Sequence, residues 1–315
     1  MTISQLHSLS ARLSLGAPQA FRNLVVVPLL DAAAPATGWL TLGRAIDRGL
    51  AEVTEVSEQG SVPQLRLLNR GAEPLFLLDG EELVGAKQNR ILNLSLLAPA
   101  GATLDIPVSC VEQGRWSWRS PSFQDPQRVI FSKLRARNSD SVSDSWRHEK
   151  STRGDQGRVW SDISVKAARM SVDSATGAAA ALFEHHSSEL DAFVAGIAAQ
   201  PGQVGAAFLV NGRFAGLDLF AGPDLLRDLL PRLVRSYALD AIDEAAPSNG
   251  GGTAAPDIAD AVRVALEQAG NLVVEHGARV GPGESLRLHG PAYAGSSLVA
   301  GGAMAHLSLW SADWR

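Results

Sequence analysis

The chain has 315 residues, of which 45% are hydrophobic and 19% charged, a balance typical of a globular protein with one large domain or two ordinary ones. The formal net charge of −5 gives the molecule as a whole no attraction for nucleic acid or anionic lipid. The single cysteine, Cys110, excludes an internal disulfide, and the sequence shows neither a signal-peptide core nor an apolar run of membrane-spanning length. These features predict a cytoplasmic protein that does not enter a membrane.

The first part of the chain has the pattern of short strands joined by turns. The apolar run from Leu24 to Leu30 predicts a strand, and Pro28 within it indicates a sheet edge or a strand end. A short helix is predicted from Thr41 to Gly49, where glycine is the usual left-handed stop. Alternating apolar residues then predict further strands, so we expect residues 24–111 to form a mainly antiparallel β region.

Residues 115–169 have a different composition, and we refer to them as the basic insertion. They contain twelve basic and six acidic residues, so the insertion carries a charge of +6 while the rest of the chain carries −11. Four of the seven tryptophans lie here, at positions 116, 118, 146 and 160, and aliphatic residues are sparse. This composition predicts a long excursion from the β region that contains broken helices.

The last part of the chain alternates helices and strands. The clearest helical pattern runs from Ser174 to Ala199, and Asn211-Gly212 is the strongest short signal for a β-hairpin. The remaining predictions are strands at 204–210 and 213–220, helices at 223–242 and 258–269, a flexible loop at 246–255, and strands at 285–288, 297–300 and 304–310. Because strands occur in both halves of the chain, the two halves are expected to share one sheet system.

These elements predict an α+β fold, a mainly antiparallel β-sandwich or partial barrel with a helical layer and a long basic insertion. We expect a single α+β domain over residues 20–312. It would consist of a β-rich N-terminal part at 20–114, the basic insertion at 115–169 and an α/β C-terminal part at 170–312.

Two neighbouring polar segments are the candidates for chemistry. One packs eight polar or charged residues into the fifteen positions 79–93, and the other follows a predicted strand at 109–116. The carboxylates suit a metal-ligand or general-base role with Mg²⁺ or Mn²⁺, and they are Asp79, Glu81, Glu82 and Glu112, with Asp79, Glu82 and Glu112 as the candidate metal ligands. The other side chains suit phosphate and base binding, and they are Lys87, Gln88, Asn89, Arg90, Asn93, Arg115 and Trp116.

Each candidate segment also has a structural interpretation. The charged residues of the two polar segments could instead form a salt-bridge network that joins the strands of the sheet. The basic insertion could bind RNA through its Arg, Lys and Trp residues, with Arg135, Arg137 and Arg147 as the basic side chains to test, or it could fold over an acidic β region. Both alternatives stay open at the level of the sequence.

The two polar segments resemble a known family. The motifs LLDGEELVGAKQNRILNLSLL and IPVSCVEQGRW are similar to those of the prokaryotic ARPP domain, named for its association with ADP-ribosylglycohydrolase and with rhodanese/phosphatase-superfamily proteins. The stretch SYALDA at 236–241 is similar to the C-terminal part of the same family, so the resemblance covers about residues 20–312. It implies a globular α+β domain with a role in NAD or ADP-ribose metabolism, or in processing ADP-ribosylated or phosphorylated molecules. It supplies no catalytic residues.

The leading hypothesis is therefore a protein that binds or acts on a nucleotide-type phosphate ligand, with ADP-ribose or an NAD derivative as first choice. Its enzymatic form would be a metal-assisted hydrolase of a nucleotide or phosphoester. The second hypothesis is an RNA-binding or RNA-repair accessory protein that uses residues 115–169, and the third is a non-catalytic protein-interaction domain. The sequence leaves the substrate, the reaction and the oligomeric state open.

Overall fold

A computed structural model describes residues 12–245 and 258–315, and these residues divide into two compact units. The first unit consists of the described parts of Met1–Thr37, Ser188–Glu275 and Leu286–Arg315. The second consists of Gly38–Ser187 and His276–Ser285. The loop predicted at 246–255 lies outside the described residues, and the single domain expected over residues 20–312 stays a prediction.

The described residues form eighteen strands and seven α-helices. The strands are β1 (Ser14–Leu15), β2 (Gln19–Phe21), β3 (Leu24–Leu30), β4 (Leu40–Thr41), β5 (Ala51–Glu55), β6 (Gln64–Asn69), β7 (Leu75–Leu77), β8 (Glu82–Gly85), β9 (Arg90–Leu92), β10 (Leu96–Ala98), β11 (Thr103–Cys110), β12 (Phe123–Gln124), β13 (Gln203–Val210), β14 (Arg213–Phe220), β15 (Val273–His276), β16 (Glu284–His289), β17 (Tyr293–Ala300) and β18 (Ala303–Ser311). The helices are α1 (Leu42–Asp47), α2 (Ser132–Glu149), α3 (Gln156–Arg169), α4 (Ala180–His185), α5 (Ser187–Ala195), α6 (Pro223–Asp243) and α7 (Ile258–Ala269), and a 3₁₀ turn follows at Ala312–Trp314.

The first unit is built on a nine-stranded sheet with the order β1-β3-β13-β14-β18-β17-β16-β15, in which β2 also pairs with β3. The expectation that the two halves of the chain share one sheet system holds for β1–β3, which lie in one sheet with strands of the C-terminal half, and not for β4–β12, which form separate sheets. The hairpin predicted at Asn211-Gly212 joins β13 and β14. The edge position predicted from Pro28 is wrong. Pro28 lies within β3, opposite Ala206 of β13, and its carbonyl accepts a hydrogen bond from Gly16 N at 2.8 Å.

One face of this sheet packs against α7 in a core of aliphatic side chains. Val262, Ala265 and Leu266 of the helix belong to the same buried cluster as the inward residues of β3, β13, β14 and β18. The helix α6 packs on β13 and β14, where Tyr237 stacks on Phe208 with ring centroids 4.0 Å apart. The helices predicted at 223–242 and 258–269 are confirmed with nearly the same bounds.

The second unit contains a six-stranded sheet with the order β12-β8-β9-β11-β6-β5 and a three-stranded sheet with the order β10-β7-β4. Their inward residues, together with those of α1, form one buried aliphatic cluster. The neighbouring strands of the six-stranded sheet pair antiparallel, and β4 with β7 is a parallel pair. The predicted α+β class with mainly antiparallel sheets is therefore confirmed.

The basic insertion contains two regular helices rather than the predicted broken ones. Helix α2 has 18 residues, of which nine are buried, and several of these are polar, so burial of the helix does not follow an apolar stripe. Helix α3 begins after Asp155, whose side chain accepts a hydrogen bond from Arg158 N and so caps the helix. The scarcity of aliphatic residues did not predict these regular, partly buried helices, because polar side chains with hydrogen-bond partners can also be buried.

The single helix predicted over residues 174–199 is wrong, because the segment forms α4 and α5 with a break at His186. Residues 176–179 are not helical because their backbone pairs with a distant segment. Ala179 N donates to Val111 O at 2.9 Å, and Gly114 N donates to Thr176 O at 2.8 Å. Within 12–245 and 258–315, none of the helices has both the length and the apolar character needed to cross a membrane.

The first turn of α6 is fixed by a carboxylate. Asp224 accepts hydrogen bonds from the backbone nitrogen of Thr37 at 2.9 Å and from its hydroxyl at 2.8 Å. Burial alone would raise the pKa of Asp224, but the hydrogen bonds from Thr37 outweigh it and hold the pKa below its ordinary value. Its position near a helix N-terminus also favours the charged form.

We expect Asp224→Ala to lower the free energy of unfolding by about 1–2 kcal/mol at pH 7, because hydrogen bonds to a charged acceptor are lost. A depressed pKa in the folded state gives stability that is present above the unfolded-state pKa of about 3.9 and is lost as the pH falls through the folded-state pKa. The difference between the two proteins should therefore shrink below about pH 4. Denaturant unfolding at several pH values measures it, with Asp260→Ala in the first turn of α7 as the control. An equal difference at all pH values would contradict the assignment.

Candidate functional site

The inward face of the six-stranded sheet ends in polar residues. Side chains alternate between the two faces of a strand, so every second residue points into the core. Glu55 of β5, Cys110 of β11 and Arg90 of β9 each lie two positions beyond a core residue of their own strand. Because β9 runs antiparallel to β11 and Cys110 pairs with Arg90, these three residues lie at one end of the core.

Arg90 and Glu55 form a buried pair whose geometry leaves most polar atoms without hydrogen bonds. Arg90 Nη2 lies 3.9 Å from Glu55 Oε1, and the two side chains are 0% and 1% exposed. Arg90 Nη1 donates to Gln88 Oε1 at 3.0 Å. Among the described residues, Arg90 Nε and Nη2 and both carboxylate oxygens of Glu55 are buried atoms with no hydrogen-bond partner. Such atoms are rare in folded proteins, and each one requires an explanation.

Lys87 and two tryptophans lie beside this pair. The Lys87 ammonium is 5.5 Å from the ring centroid of Trp116 and 5.2 Å from that of Trp118, and the Arg90 guanidinium carbon is 5.4 Å from the Trp116 ring. Trp116 is 46% exposed and Trp118 is 51% exposed, whereas Lys87 and Arg90 are buried. We call Glu55, Lys87, Arg90, Trp116 and Trp118 the core-end cluster.

A tight turn completes the wall of the core-end cluster. Gly60 has a φ of +77°, a left-handed conformation that favours glycine. A Cβ atom at this position would lie 3.2 Å from the Lys87 and Trp116 side chains and 3.3 Å from Glu55 Oε2. The absence of a side chain at Gly60 thus lets the turn pack directly against three members of the cluster.

Burial determines the electrostatics of the inward polar residues. It lowers the pKa of the Arg90 guanidinium, a shift that nearby Cys110 and Glu55 oppose. Arginine nevertheless stays charged in proteins, so Arg90 is a buried cation. Burial also raises the pKa of the Cys110 thiol, which keeps it in the neutral form and makes it a poor nucleophile.

Arg115 holds the loop that carries the two tryptophans. Its guanidinium donates to Glu112 Oε2 at 2.6 and 2.9 Å, to the carbonyl oxygens of Ala86 at 2.7 Å and Gly85 at 3.1 Å, to Ser117 O at 2.9 Å, and to Asn89 Oδ1 at 3.1 Å. All three nitrogens of the guanidinium are therefore used within the protein. Arg115, one of the predicted ligand-binding residues, therefore fixes the positions of the segments that it contacts.

Glu112 is the acceptor at the centre of the same network. It also accepts hydrogen bonds from Asn89 N at 3.1 Å and from Thr176 Oγ1 at 2.9 Å. Burial would raise the pKa of Glu112, but the hydrogen bonds from Arg115, Asn89 and Thr176 lower it below its ordinary value. The Glu112 carboxylate is therefore ionised near neutral pH, and both of its oxygens accept hydrogen bonds within the protein.

The two amides of the polar segment other than Asn89 also have structural partners. Gln88 Nε2 donates to Glu112 O at 2.7 Å, and its oxygen accepts from Arg90, so Gln88 orients the Arg90 side chain. Asn93 accepts from Ser109 Oγ at 2.8 Å and donates to Thr152 O at 3.0 Å. Gln88 is thus attached to the core-end cluster, whereas Asn93 connects β9 to β11 and to the basic insertion.

Three predicted catalytic carboxylates have partners of their own. Asp79 accepts two hydrogen bonds from Arg135 and one from Ser95, all between 2.7 and 3.0 Å. Glu81 accepts a hydrogen bond from Leu78 N at 2.8 Å, and Glu82 is paired with Arg128. Each candidate metal ligand therefore forms an ion pair with a different arginine: Asp79 with Arg135, Glu82 with Arg128, and Glu112 with Arg115. In the described part of the chain, no group of three or more His, Cys, Asp or Glu side chains could hold a metal ion.

Other arginines of the basic insertion also have acidic partners. Arg137 is paired with Asp162 at 2.8 Å, and Arg147 with Asp144 at 3.1 Å. Together with Arg135, these are the basic side chains on which the RNA hypothesis depends. Each one has a carboxylate partner within the second unit, which reduces the positive charge that they offer to an RNA phosphate.

A pocket of about 290 Å³ lies between α3 and α4, apart from the predicted site residues. Ile163 and Ala167 of α3 and Leu182 of α4 form its apolar walls. None of the site residues predicted from the sequence lines it, and its polar groups include Asp173 and Ser174. The core-end cluster, by contrast, combines buried charge with exposed aromatic rings, and it is the stronger candidate for ligand binding.

Of the core-end cluster, Lys87, Arg90 and Trp116 are among the site residues predicted from the sequence, whereas Glu55 and Trp118 are not. Glu55 lies in a different strand, well before the polar segment that begins at Asp79, and only strand pairing brings it to Arg90. A signal was present in the alternation Ala51, Val53, Glu55, in which a carboxylate occupies a position of the buried face.

Comparison with known proteins identifies a family. The model of the ARPP-1 family, described as the ARG and Rhodanese-Phosphatase-superfamily-associated Protein domain, matches residues 12–310, which is nearly the whole chain. The resemblance inferred from the two motifs is therefore confirmed. No curated protein and no solved structure matches the chain.

We expect Arg115→Met to lower the free energy of unfolding by about 3–5 kcal/mol, because it leaves the buried Glu112 carboxylate without its main partner. Denaturant unfolding at pH 7 measures this loss. The matched control is Arg66→Met, which removes an exposed arginine paired with Asp105 on the same sheet and should leave stability nearly unchanged. Equal effects of the two substitutions would show that Arg115 does not hold the loop.

Proposed function

We propose, from the premise that the chain belongs to the ARPP-1 family, that it binds a nucleotide-type phosphate ligand at the core-end cluster. ADP-ribose or an NAD-derived nucleotide is the first choice. The family is associated by its description with ARG and with the rhodanese-phosphatase superfamily, which is a related context and assigns no reaction to this chain.

The observation that carries the proposal is the buried Arg90 guanidinium. Its Nε and Nη2 atoms have no hydrogen-bond partner among the described residues, although burial of unsatisfied charged donors destabilises a fold. The two nitrogens form the fork that binds phosphate oxygens in a bidentate manner. A phosphate group at this position would satisfy both donors, and the Lys87 ammonium and the Arg90 guanidinium lie beside the same Trp116 ring.

The other members of the cluster match the remaining parts of a nucleotide. Both Glu55 oxygens are buried acceptors without a hydrogen-bond partner, and a carboxylate is the usual acceptor for ribose hydroxyl groups. The half-exposed Trp116 ring provides a surface on which a base can stack. Lys87 and Arg90 together outweigh the single negative charge of Glu55, so the cluster favours an anionic ligand.

In this proposal the other predicted site residues position the ligand-binding side chains. Gln88 orients Arg90, and Asn89, Glu112 and Arg115 hold the loop that carries the tryptophans. Asp79, Glu81 and Glu82 stabilise the second unit. Binding is the property that the geometry supports, and hydrolysis of a bound nucleotide or phosphoester, with Mg²⁺ or Mn²⁺, remains a further proposal for which these carboxylates are less suited than the sequence suggests.

RNA binding by the basic insertion and a non-catalytic interaction role both remain predictions. The pairing of Arg135, Arg137 and Arg147 with carboxylates favours neither. RNA would produce a thermal shift that falls steeply with salt and does not depend on Arg90.

We expect ADP-ribose to raise the melting temperature of the protein, with a stabilisation of about 2.7 kcal/mol at about 100 times its dissociation constant.

Arg90→Gln should weaken binding about tenfold or more, because charge-assisted hydrogen bonds to phosphate are lost. Trp116→Ala should weaken it by a similar factor through lost stacking. Isothermal titration measures these affinities, with and without Mg²⁺.

The matched control is Arg66→Gln, an exposed arginine on β6 of the same sheet, which should bind ADP-ribose as the native protein does. Arg90→Lys keeps the charge but lacks the planar fork, and it serves as the second variant if Arg90→Gln does not fold. Unchanged affinity in a folded Arg90 variant would exclude the core-end cluster as the binding site.

A further inference from the structure

The two exposed indoles are held on a fixed loop. Ser117 N donates to Lys87 O at 3.2 Å and Arg119 N donates to Ala86 O at 2.9 Å, so the backbone on both sides of Trp118 is attached to the loop that follows β8. The guanidinium of Arg115 adds a contact to Ser117 O. Large aromatic side chains with about half of their surface exposed on an anchored loop are typical of binding surfaces.

The Lys87 ammonium occupies the space next to both rings. Its distances to the ring centroids, 5.5 Å for Trp116 and 5.2 Å for Trp118, lie within the range of cation–π contacts. Among the described residues, no carboxylate lies within ion-pairing distance of this ammonium, although Lys87 is only 8% exposed. The contacts that hold the ammonium are therefore the two π faces.

We infer that Trp116 and Trp118 together form a base-binding subsite and that Lys87 leaves the indoles when a base enters. This inference rests on the proposed function, because it takes the ligand to be a nucleotide. A π face attracts either a cation or a stacked base, and the two cannot occupy the same face at once. The flexible four-carbon stem of Lys87 then carries the ammonium to the phosphate that Arg90 binds.

The exchange makes the site selective for ligands that carry both a base and a phosphate. A nucleoside has to displace the Lys87 ammonium from the indoles and offers it no anionic partner. A phosphate or pyrophosphate attracts the ammonium but leaves both indoles uncovered. A nucleotide such as ADP-ribose replaces the cation–π contacts with stacking and gives the ammonium a phosphate partner at the same time.

Lys87→Met tests the exchange because methionine keeps much of the aliphatic stem and removes the charge. We expect adenosine to bind Lys87→Met about 2–5-fold more tightly than it binds the native protein, because the competing cation is gone. Pyrophosphate should bind about tenfold or more weakly, because one of its two cationic partners is gone. Isothermal titration and the quenching of tryptophan fluorescence both report these affinities.

Two further variants complete the experiment. Lys150→Met is the matched control, since Lys150 Nζ lies 5.6 Å from the Trp146 ring in a cation–π contact of the same unit. It should change neither affinity. Trp118→Ala should weaken adenosine binding and leave pyrophosphate binding unchanged, which separates the base subsite from the phosphate subsite.

The outcomes distinguish this inference from the proposed function. If ADP-ribose binds the native protein but adenosine binds Lys87→Met no more tightly than native, or binds neither protein, the exchange is wrong and the nucleotide site stands. If adenosine, pyrophosphate and ADP-ribose all fail to bind the native protein, the proposed function is wrong and the inference with it. Opposite shifts for adenosine and pyrophosphate would support the exchange.

Discussion

Burial of charged groups beside an apolar core is the constraint on which the structure of the second unit depends. A buried charged group requires hydrogen-bond partners, and Arg115 has them throughout, because every nitrogen of its guanidinium donates to an oxygen of the protein. Those oxygens belong to Glu112, to the backbone of Gly85 and Ala86 at the end of β8, to the Asn89 side chain, and to Ser117 in the tryptophan loop. The Arg115 guanidinium therefore fixes the relative positions of segments that each carry one part of the core-end cluster.

Arg90 meets the same constraint only in part. It is more deeply buried than Arg115, yet two of its nitrogens have no hydrogen-bond partner among the described residues and Glu55 is too distant for a hydrogen bond. Buried charged groups without hydrogen bonds generally lower stability, and replacement of a buried pair by apolar residues is often neutral or stabilising. Buried charged groups without hydrogen bonds are expected mainly at functional sites. This is the physical reason to propose ligand binding at Arg90 rather than at the fully hydrogen-bonded Arg115.

Local signals in the sequence predicted those elements that depend on local interactions. The Asn211-Gly212 turn and the helix after Pro223 follow from the residues within them, and both are present. Two predictions were wrong because hydrogen bonds to residues outside the local segment determine the structure. The sheet edge predicted at Pro28 is paired through Gly16, and the continuous helix predicted over 174–199 is interrupted by pairing with residues 111–114. The same distinction between local and distant interactions applies to the candidate site. Lys87 and Arg90 are neighbours in the polar run, whereas Glu55 reaches them only through the pairing of strands.

The salt-bridge network and the ligand site were alternative interpretations of one polar segment. The structure shows ion pairs at Asp79, Glu82 and Glu112, and the ligand site is proposed at other residues of the segment. Asp79, Glu82 and Glu112 each pair with an arginine, so substitution of any one of them leaves that arginine without its carboxylate and disturbs folding first. Loss of binding after such a substitution would therefore say little about ligand contacts. Lys87 and Arg90 lack carboxylates at hydrogen-bond distance, so they are the positions where a change in affinity, measured in a folded variant, reports on the ligand itself.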